Sequence, residues 1–352
     1  MITLLPVPGL PEIGAGDDLG ALVADAIEVR DGDIVVVTSK VVSKALGLRA
    51  DSTESTDRPA LALRESRRVV AERMTSTGGV TRVVEALAGP VMAGAGIDAS
   101  NADDDHLLLL PHDPDAAAQE VLDSLRAATG VGGLAVILSD TAGRPWRAGL
   151  VDFALGTAGL RALDDLRGHA DAAGRDLAVT VRNLADELAA AADLVKGKLD
   201  RVPVAIVRGM PDLVAEVPAV DLVRSGPEDW FALGRAEAVR DALGVPAGSQ
   251  LSQDVGIESV HPETIADRAA RALRVASSAE RAPSAARAGT TRRASSITAR
   301  GEAVVIRLED ADPVRLGHTW ARVEVALAGE RLGADATRDG TTVEIVVRPT
   351  RR

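Results

Sequence analysis

The sequence contains no cysteine and no tyrosine, and aromatic residues make up only 1% of its 352 residues. The absence of cysteine excludes disulfide bonds, thiolate nucleophiles, iron–sulfur clusters and zinc–thiolate sites. Because aromatic rings are so few, the hydrophobic fraction of 46% must form a mostly aliphatic core. Polar residues that follow apolar segments are therefore the first candidates for catalytic or ligand-binding roles.

The chain also lacks an excess of basic residues, and it lacks long apolar runs. Its net charge is −12 and its pI is about 5.0, which argues against a general nucleic-acid-binding protein, since such proteins present a basic surface. No segment reaches the ~18 consecutive apolar residues of a transmembrane helix, and the first residues lack the features of a signal peptide. We therefore expect a cytoplasmic protein with neither a nucleic-acid nor a membrane partner.

Short apolar segments alternate irregularly with helical patterns along most of the chain. The sequence predicts strands at 2–5, 34–37, 82–85, 90–93, 134–138, 177–181 and 203–207. It predicts helices that begin at Asp17 or Asp18 and that span 59–73, 115–125 and 183–195. This irregular order favours a mixed α+β domain over a regular parallel sheet.

Composition changes after about residue 275. Residues 277–300 are rich in serine, alanine, threonine and arginine, which predicts a flexible basic linker. Beyond it, the segments 303–308, 321–327 and 342–347 predict three strands. We expect three parts: a main α+β domain, a helical segment with the linker, and a small β-rich module. Their boundaries are 1–245, 246–301 and 302–352.

The sequence predicts two polar loops, each of which carries a carboxylate beside glycine and hydroxyl residues. The first, 94–101, contains Asp98, and the second, 139–147, contains Asp140 directly after an apolar run. Carboxylate and hydroxyl oxygens, including that of Thr141, suit Mg²⁺ or Mn²⁺, which in turn can hold phosphate. A turn at Asp98 and a helix cap at Asp140 are the structural alternatives.

Several basic residues follow the same predicted strands. Lys44 could stabilise a phosphate as a point charge, and Arg144 and Arg147 could grip a phosphate or carboxylate. Solvated or ion-paired side chains would explain them as well. The run 196–198 fits both a nucleotide clamp and a helix end. The sequence has no P-loop and no dinucleotide-binding glycine motif, and its histidines lack metal-ligand spacing.

In combination, these segments resemble the coenzyme F420-0:L-glutamate ligase family, also called F420 γ-glutamyl ligases. The matching segments occur in the family's order over about residues 1–230, at 8–13, 16–19, 31–33, 38–44, 94–101, 139–149, 185–187 and 203–209. Ser139 and Gly94 depart from the threonine and asparagine that many relatives have. The chain after Trp230 is too short for the flavin-binding domain of some relatives, so we expect no flavin.

The resemblance implies a mixed-sheet α+β fold, a homodimer, and GTP-dependent addition of L-glutamate to F420-0 through an acyl phosphate. The product is an amide, to which further γ-linked glutamates can be added. The implied GTP site comprises Leu10, Pro11, Glu12, Ile13, Ser39, Lys44 and Asn101. The implied metal ligands, for Mg²⁺ or Mn²⁺ with K⁺ as a further candidate, are Asp98, Asp140 and Thr141. The implied catalytic cations are Lys44, Arg144 and Arg147.

Two other functions are compatible with the same residues. A metal-dependent hydrolase of GTP or of a phosphate ester could use Asp98 and Asp140 without glutamate. The C-terminal module could instead be a docking surface for another F420 enzyme.

Overall fold

The computed structural model describes residues 1–50, 57–98, 107–215, 222–224, 232–278, 294–300 and 303–350. The helices are α1 (Leu19–Ala26), α2 (Ser39–Ala45), α3 (Arg58–Arg64), α4 (Pro114–Thr129), α5 (Leu184–Lys196), α6 (Arg235–Ala242), α7 (Gln250–Val255), α8 (Ile265–Ser278) and α9 (Pro313–Gly329). Short 3₁₀ turns span Gly94–Gly96 and Pro211–Leu213.

The first group of strands comprises β1 (Thr3–Pro6), β2 (Ile34–Thr38), β3 (Arg49–Ala50), β4 (Ser66–Met74), β5 (Val80–Ala86), β6 (Val91–Ala93), β7 (Leu107–Leu108) and β8 (Ala135–Arg144). The remaining strands are β9 (Arg147–Ala158), β10 (Leu163–Asp165), β11 (Val181–Asn183), β12 (Val204–Arg208), β13 (Ala294–Arg300), β14 (Ala303–Glu309), β15 (Leu332–Asp339) and β16 (Thr342–Pro349).

The chain divides into two units that are not continuous in sequence. The first comprises residues 1–66 and 85–228, and the second comprises residues 67–84 and 229–352. The sequence-based division at 245 and 301 follows chain order, whereas the three-dimensional grouping places a segment from the N-terminal half with the C-terminal residues. No helix in the described part of the chain is long and apolar enough to cross a membrane.

A five-stranded mixed sheet forms the centre of the first unit. Its order is β1-β12-β2-β8-β9, in which β2 and β8 are parallel and the other pairs are antiparallel. The predicted mixed-sheet α+β fold is therefore confirmed. Pro203 directly precedes β12, where its missing N–H is tolerated, so the proline marks a strand start rather than a sheet edge.

The β-branched run of β2 lies at the centre of the core. Residues 34–37 are fully buried, and successive side chains point to opposite faces of the sheet. Ile34 and Val36 pack in one layer with Leu184 and Leu188 of α5. Because both faces are covered, this strand is apolar throughout rather than alternating, as the sequence predicts.

A buried ion pair joins β12 to the start of β2. Asp33 is fully buried, and the Arg208 guanidinium donates to both of its carboxylate oxygens at 2.8 and 2.7 Å. Gly209 follows with a φ of 103°, and a Cβ there would lie 2.1 Å from the carbonyl oxygen of Met1. Two of the family-like segments, 31–33 and 203–209, therefore contribute to the fold itself.

Helix ends follow the capping signals in the sequence. The Asp18 carboxylate accepts a hydrogen bond from the Ala21 N–H at 3.1 Å, which confirms one of the two predicted caps of α1. Asn183 caps α5 in the same way, and the predicted helix over 183–195 is confirmed as α5. The predicted helix at 115–125 is confirmed as the longer α4, which ends at Gly130 in the left-handed region.

The helix predicted over 59–73 is wrong in its second half. Helix α3 ends at Arg64, and β4 follows, next to β5 in its sheet. Val69 and Val70 are adjacent β-branched residues, and both are buried. A strand directs such neighbours to opposite faces, whereas β-branched side chains lose rotamer freedom in a helix.

The strand predicted over 177–181 is also wrong. Regular pairing covers only Val181–Asn183, and the N–H of Leu177 bonds to the carbonyl of His169 within an irregular segment. In contrast, the 12-residue strand β9 was not predicted. Its exposed first half is interrupted by Arg147, Gly149 and Asp152, so it does not have the continuous apolar pattern of the buried strands beside it.

The C-terminal region of the second unit is β-rich, as predicted, but its boundaries differ. The antiparallel sheet has the order β13-β14-β16-β15. β13 falls inside the predicted linker, of which residues 279–293 lie outside the described residues. The predicted strand at 321–327 is part of α9. Helical spacing explains this, because the buried side chains recur every three or four positions, at Leu316, Thr319, Val323, Ala326 and Leu327.

Replacement of Arg208 by methionine should destabilise the first unit by ~3 kcal/mol, because it leaves the buried Asp33 carboxylate without its counter-charge. Urea unfolding followed by circular dichroism measures this loss. Arg167→Met, which breaks an exposed ion pair with Asp165, is the control and should leave stability unchanged. Equal stability of the Arg208 variant and the control would show that the buried pair does not hold the sheet together.

Candidate active site

A cleft of about 1000 Å³ opens in the first unit at the carboxyl ends of the parallel strands β2 and β8. Ligand sites commonly lie at this edge of a parallel pair. Five stretches of chain line the cleft, and they contribute residues from 10–13, 38–44, 92–98, 139–152 and 193–203. The cleft therefore collects side chains that are up to about half the chain apart in sequence.

Most of the predicted site residues line this one cleft. The predicted metal ligands Asp98, Asp140 and Thr141 are all there. So are the described residues of the predicted GTP site, which are Leu10, Pro11, Glu12, Ile13, Ser39 and Lys44. Asn101 lies outside the described residues.

Asp140 lies within a strand rather than in the predicted loop. β8 continues past its apolar half, and a register shift between Leu138 and Ser139 precedes the carboxylate. Asp140 pairs with Phe153 of β9, and the turn between the two strands comes only at 145–146. The predicted loop 139–147 is therefore wrong, because backbone pairing with β9 extends the strand. A rigid strand also fixes the carboxylate more firmly than a loop would.

The surroundings of Asp140 disfavour its charged form. Burial raises the pKa of Asp140 to about 6, despite hydrogen bonds from the Thr141 backbone N–H and from the Ser39 hydroxyl, which lies 3.1 Å from its Oδ1. The negative charges of Asp152 and Asp98 act in the same direction as burial. A bound cation would relieve this unfavourable charge.

Asp98 and Lys44 each form an ion pair in the cleft. The Lys40 ammonium lies 2.7 Å from Asp98 Oδ2, and both side chains are partly exposed. The Lys44 ammonium contacts the carboxylate of Glu12, although Lys44 itself is only 7% exposed. The Glu12 side chain, in contrast, is largely exposed. Because the Glu12 carboxylate is exposed, another anion could replace it as the partner of the buried Lys44 ammonium.

Asp152 and Lys196 form a buried pair at the back of the cleft that the sequence did not predict. The Lys196 ammonium donates to Asp152 Oδ2 at 2.7 Å and to Ser139 Oγ at 2.8 Å, and Lys196 is only 1% exposed. The Ser139 and Thr141 hydroxyls also donate to Asp152. Asp152 therefore holds both neighbours of Asp140. The Lys198 ammonium donates to the Thr141 hydroxyl oxygen, which keeps one lone pair for a further partner.

The charge of Asp152 is stabilised by these contacts. Burial alone would raise the pKa of Asp152, but the Lys196 charge and the hydrogen bonds from Lys196 and Thr141 lower it below its ordinary value. Asp152 was missed because β9 was missed. An acidic residue between Val151 and Phe153, in an otherwise apolar stretch, was the available signal.

Arg144 and Arg147 are not among the residues that line the cleft, although Gly143 and Leu150 of the same hairpin are. The two arginines pair with each other at the exposed end of the β8–β9 hairpin, next to Trp146, which is 91% exposed. The structure thus gives no contact between these guanidinium groups and the other predicted site residues, and their catalytic role stays a prediction.

The donor set of the cleft fits a hard divalent cation. Asp98 and Asp140 provide carboxylate oxygens, and Thr141 provides a hydroxyl oxygen, which are ligand types that Mg²⁺ and Mn²⁺ accept. Among the described residues, no group of three or more acidic or histidine side chains is arranged to hold a metal. Substrate oxygens or water would therefore have to complete the coordination sphere of the ion.

Comparison with known proteins agrees with the motifs. The profile of the F420-0:Gamma-glutamyl ligase family matches residues 9–209, a range that contains the whole cleft. A protein from Methanothermobacter thermautotrophicus named coenzyme F420:L-glutamate ligase is 42% identical over 236 residues, covering 60% of this chain and 90% of the relative. Proteins of the same name from Halorubrum lacusprofundi and Methanopyrus kandleri are each 40% identical, covering 64% of this chain and 98% and 96% of their own lengths. The chain therefore belongs to the F420-0:γ-glutamyl ligase family.

Proposed function

We propose that this chain joins L-glutamate to coenzyme F420-0 through an amide bond and uses GTP to activate the carboxylate. The observation that carries this proposal is the single cleft in which a buried lysine, a desolvated aspartate and a second aspartate converge. Family membership and the names of the relatives, coenzyme F420:L-glutamate ligase, support the choice of substrates.

The reaction requires activation because a carboxylate is a poor electrophile at neutral pH. In the proposed sequence, an oxygen of the F420-0 carboxylate attacks the γ-phosphorus of GTP, and GDP leaves. The amine of glutamate then attacks the acyl carbon, inorganic phosphate leaves, and the amine loses a proton. Neither step needs a protein nucleophile, which agrees with a chain that has no cysteine.

Lys44 would act as the fixed positive charge for the transferred phosphoryl group. Its ammonium contacts Glu12 in the absence of substrate, and a phosphate oxygen would take the place of that carboxylate. Ser39 would stay hydrogen-bonded to Asp140 and keep the carboxylate oriented. Residues 10–13 would line the nucleotide, with their backbone close to it.

Asp98, Asp140 and Thr141 would hold Mg²⁺ or Mn²⁺, with K⁺ as a further candidate ion. When bound, the divalent ion supplies charge neutralisation and orientation for the phosphate oxygens. Contacts between these residues and their neighbours favour this role. Asp152 accepts the Thr141 hydroxyl proton and the Lys198 ammonium donates to the same hydroxyl oxygen, so one of its two lone pairs remains for an ion. Asp140 and Thr141 are consecutive residues of β8.

A homodimer is part of the same proposal. Several large apolar side chains of the first unit are largely exposed, and four of them are Trp146, Leu150, Leu194 and Leu199. Apolar side chains of this size at the surface favour contact with another protein surface. A second copy of the chain is the partner that the family resemblance implies.

The ligase should convert GTP to GDP in step with amide formation. With F420-0 and Mg²⁺ present, addition of L-glutamate should give one glutamyl product per GDP, measured by mass spectrometry and by nucleotide chromatography. A hydrolase would behave differently, because its GTP turnover would be the same with and without glutamate. Equal turnover in both conditions, with no amide product, contradicts the ligase.

Asp140→Asn should abolish turnover and change metal-linked stability. The pKa of Asp140 in the fold lies above its unfolded value, so this carboxyl destabilises the metal-free protein as pH rises from about 4 to about 6. In EDTA at pH 8, the asparagine variant should therefore melt at or above the temperature of the wild type.

Manganese should make the wild type melt at a higher temperature than the Asp140→Asn variant. Added Mn²⁺ should raise the melting temperature of the wild type and leave that of Asp140→Asn almost unchanged, as measured by differential scanning fluorimetry. Mg²⁺ and K⁺ serve as parallel titrants. The metal assignment fails if Mn²⁺ stabilises both proteins by the same amount.

Light scattering after size exclusion should give about twice the chain mass of 36.3 kDa. Leu194→Glu and Trp146→Glu should shift the protein towards the monomer, because each places a charge in the apolar contact. Val179→Glu, an exposed apolar position outside the set of four, is the matched control. A monomeric wild type would contradict the homodimer.

A further inference from the structure

The segment between α5 and β12 places two cations on the cleft that the roles above do not use. Lys198 and Arg201 both line the cleft, on the short connection that follows the buried Lys196 at the end of α5. The sequence left a nucleotide clamp open for the run 196–198, but neither residue is among the GTP-site or metal-site residues that the family resemblance implies. They lie next to those residues, however, because the Lys198 ammonium donates to the hydroxyl of Thr141.

The shape of this connection directs its cations towards the cleft. Gly197 ends α5 with a φ of 63°, and a Cβ there would lie 2.3 Å from a carboxylate oxygen of Asp200. The positive φ strains any side chain at 197, so glycine allows this turn at the end of α5. Lys198 and Arg201 line the cleft, whereas Leu199, which is 93% exposed, does not. Asp200 does not line the cleft, and among the described residues it forms no ion pair with Lys198 or Arg201.

Lys198 and Arg201 are available to bind an anion, because the acidic side chains of the cleft pair with other lysines. The other lysines of the cleft each have an acidic partner, in the pairs Lys40–Asp98, Lys44–Glu12 and Lys196–Asp152. The Lys198 ammonium lies 4.0 Å from Asp152 Oδ1, but Lys196 already neutralises that carboxylate, and the Lys198 side chain is 62% exposed. Within the described part of the chain, Arg201 forms no hydrogen bond or ion pair.

We propose that Lys198 and Arg201 form the subsite that holds the two carboxylates of the incoming L-glutamate. The proposal rests on the ligase function argued above and adds the residues that select the amino acid. An arginine guanidinium can donate two hydrogen bonds to one carboxylate, and a lysine ammonium can pair with the other. Exposed cations at the mouth of a cleft can accept such a ligand from solution. Contact with Thr141 places the subsite beside the carboxylate-activating residues, where the amine must arrive.

The ligand is glutamate rather than nucleotide phosphate because different residues serve the nucleotide. Residues 10–13 and Lys44 come from other stretches of the chain, and Lys44 supplies a buried cation of its own. Nucleotide phosphate and the anionic part of F420-0 share the same anion chemistry, so the experiment has to separate the three substrates.

Steady-state kinetics of Lys198→Ala and Arg201→Ala, with full-length protein, test the subsite. Each variant should raise the KM for L-glutamate at least tenfold, while the KM values for GTP and F420-0 stay within about twofold and kcat within about threefold. Glutarate, a dicarboxylate without the amine, should inhibit the wild type competitively against glutamate and should inhibit both variants at least tenfold more weakly. Arg182→Ala, an exposed arginine that does not line the cleft, is the control.

The outcomes separate the subsite from the ligase function. If the wild type forms no amide at all, both proposals are wrong. If the wild type ligates glutamate and both variants keep its KM, only the subsite is wrong. A selective rise in the KM for GTP or for F420-0 also overturns the subsite, because it assigns the two cations to that substrate.

Discussion

The crowding of three aspartates in one partly buried cleft is the constraint on which the rest of the site depends. Asp98 and Asp152 each have a lysine partner. Within the described residues, Asp140 is the member of the three that has no ion pair, and its pKa is raised to about 6. Asp140 therefore carries an uncompensated charge at the position where we propose that a cation binds.

The fold creates this constraint through strand geometry. Parallel pairing of β2 and β8 brings Ser39 and Asp140 to the same edge of the sheet, and β9 extends along β8 to place Asp152 beside Thr141. The Lys196 ammonium then arrives from the end of α5 and neutralises the innermost carboxylate. The buried Asp33–Arg208 pair fixes β12 against β2, so the connection that carries Lys198 and Arg201 starts and ends on rigid elements.

Much of the site was predictable because its residues follow apolar strands or form motifs. The run 34–37 marks a buried strand, and Ser39 and Lys44 follow it. Asp140 follows a second such run, although its position inside a strand was not evident. β9 could not be found in this way, because Arg147, Gly149 and Asp152 interrupt its first half and leave no continuous apolar run, so Asp152 was missed. Arg144 and Arg147 show the converse, since proximity in sequence to Asp140 did not bring them to the cleft.

The strand predicted at 321–327 is wrong because valine and leucine at helical spacing resemble a short strand when the capping residue Asp312 is overlooked.

A structure of the protein with GDP and Mn²⁺ tests the central claim most directly. The account predicts a manganese ion bonded to carboxylate oxygens of Asp98 and Asp140 and to the Thr141 hydroxyl oxygen. It also predicts that the nucleotide lies along residues 10–13 and that the Lys44 ammonium contacts a phosphate oxygen in place of Glu12. A nucleotide outside the cleft, or a manganese ion that does not touch Asp140, would contradict the account.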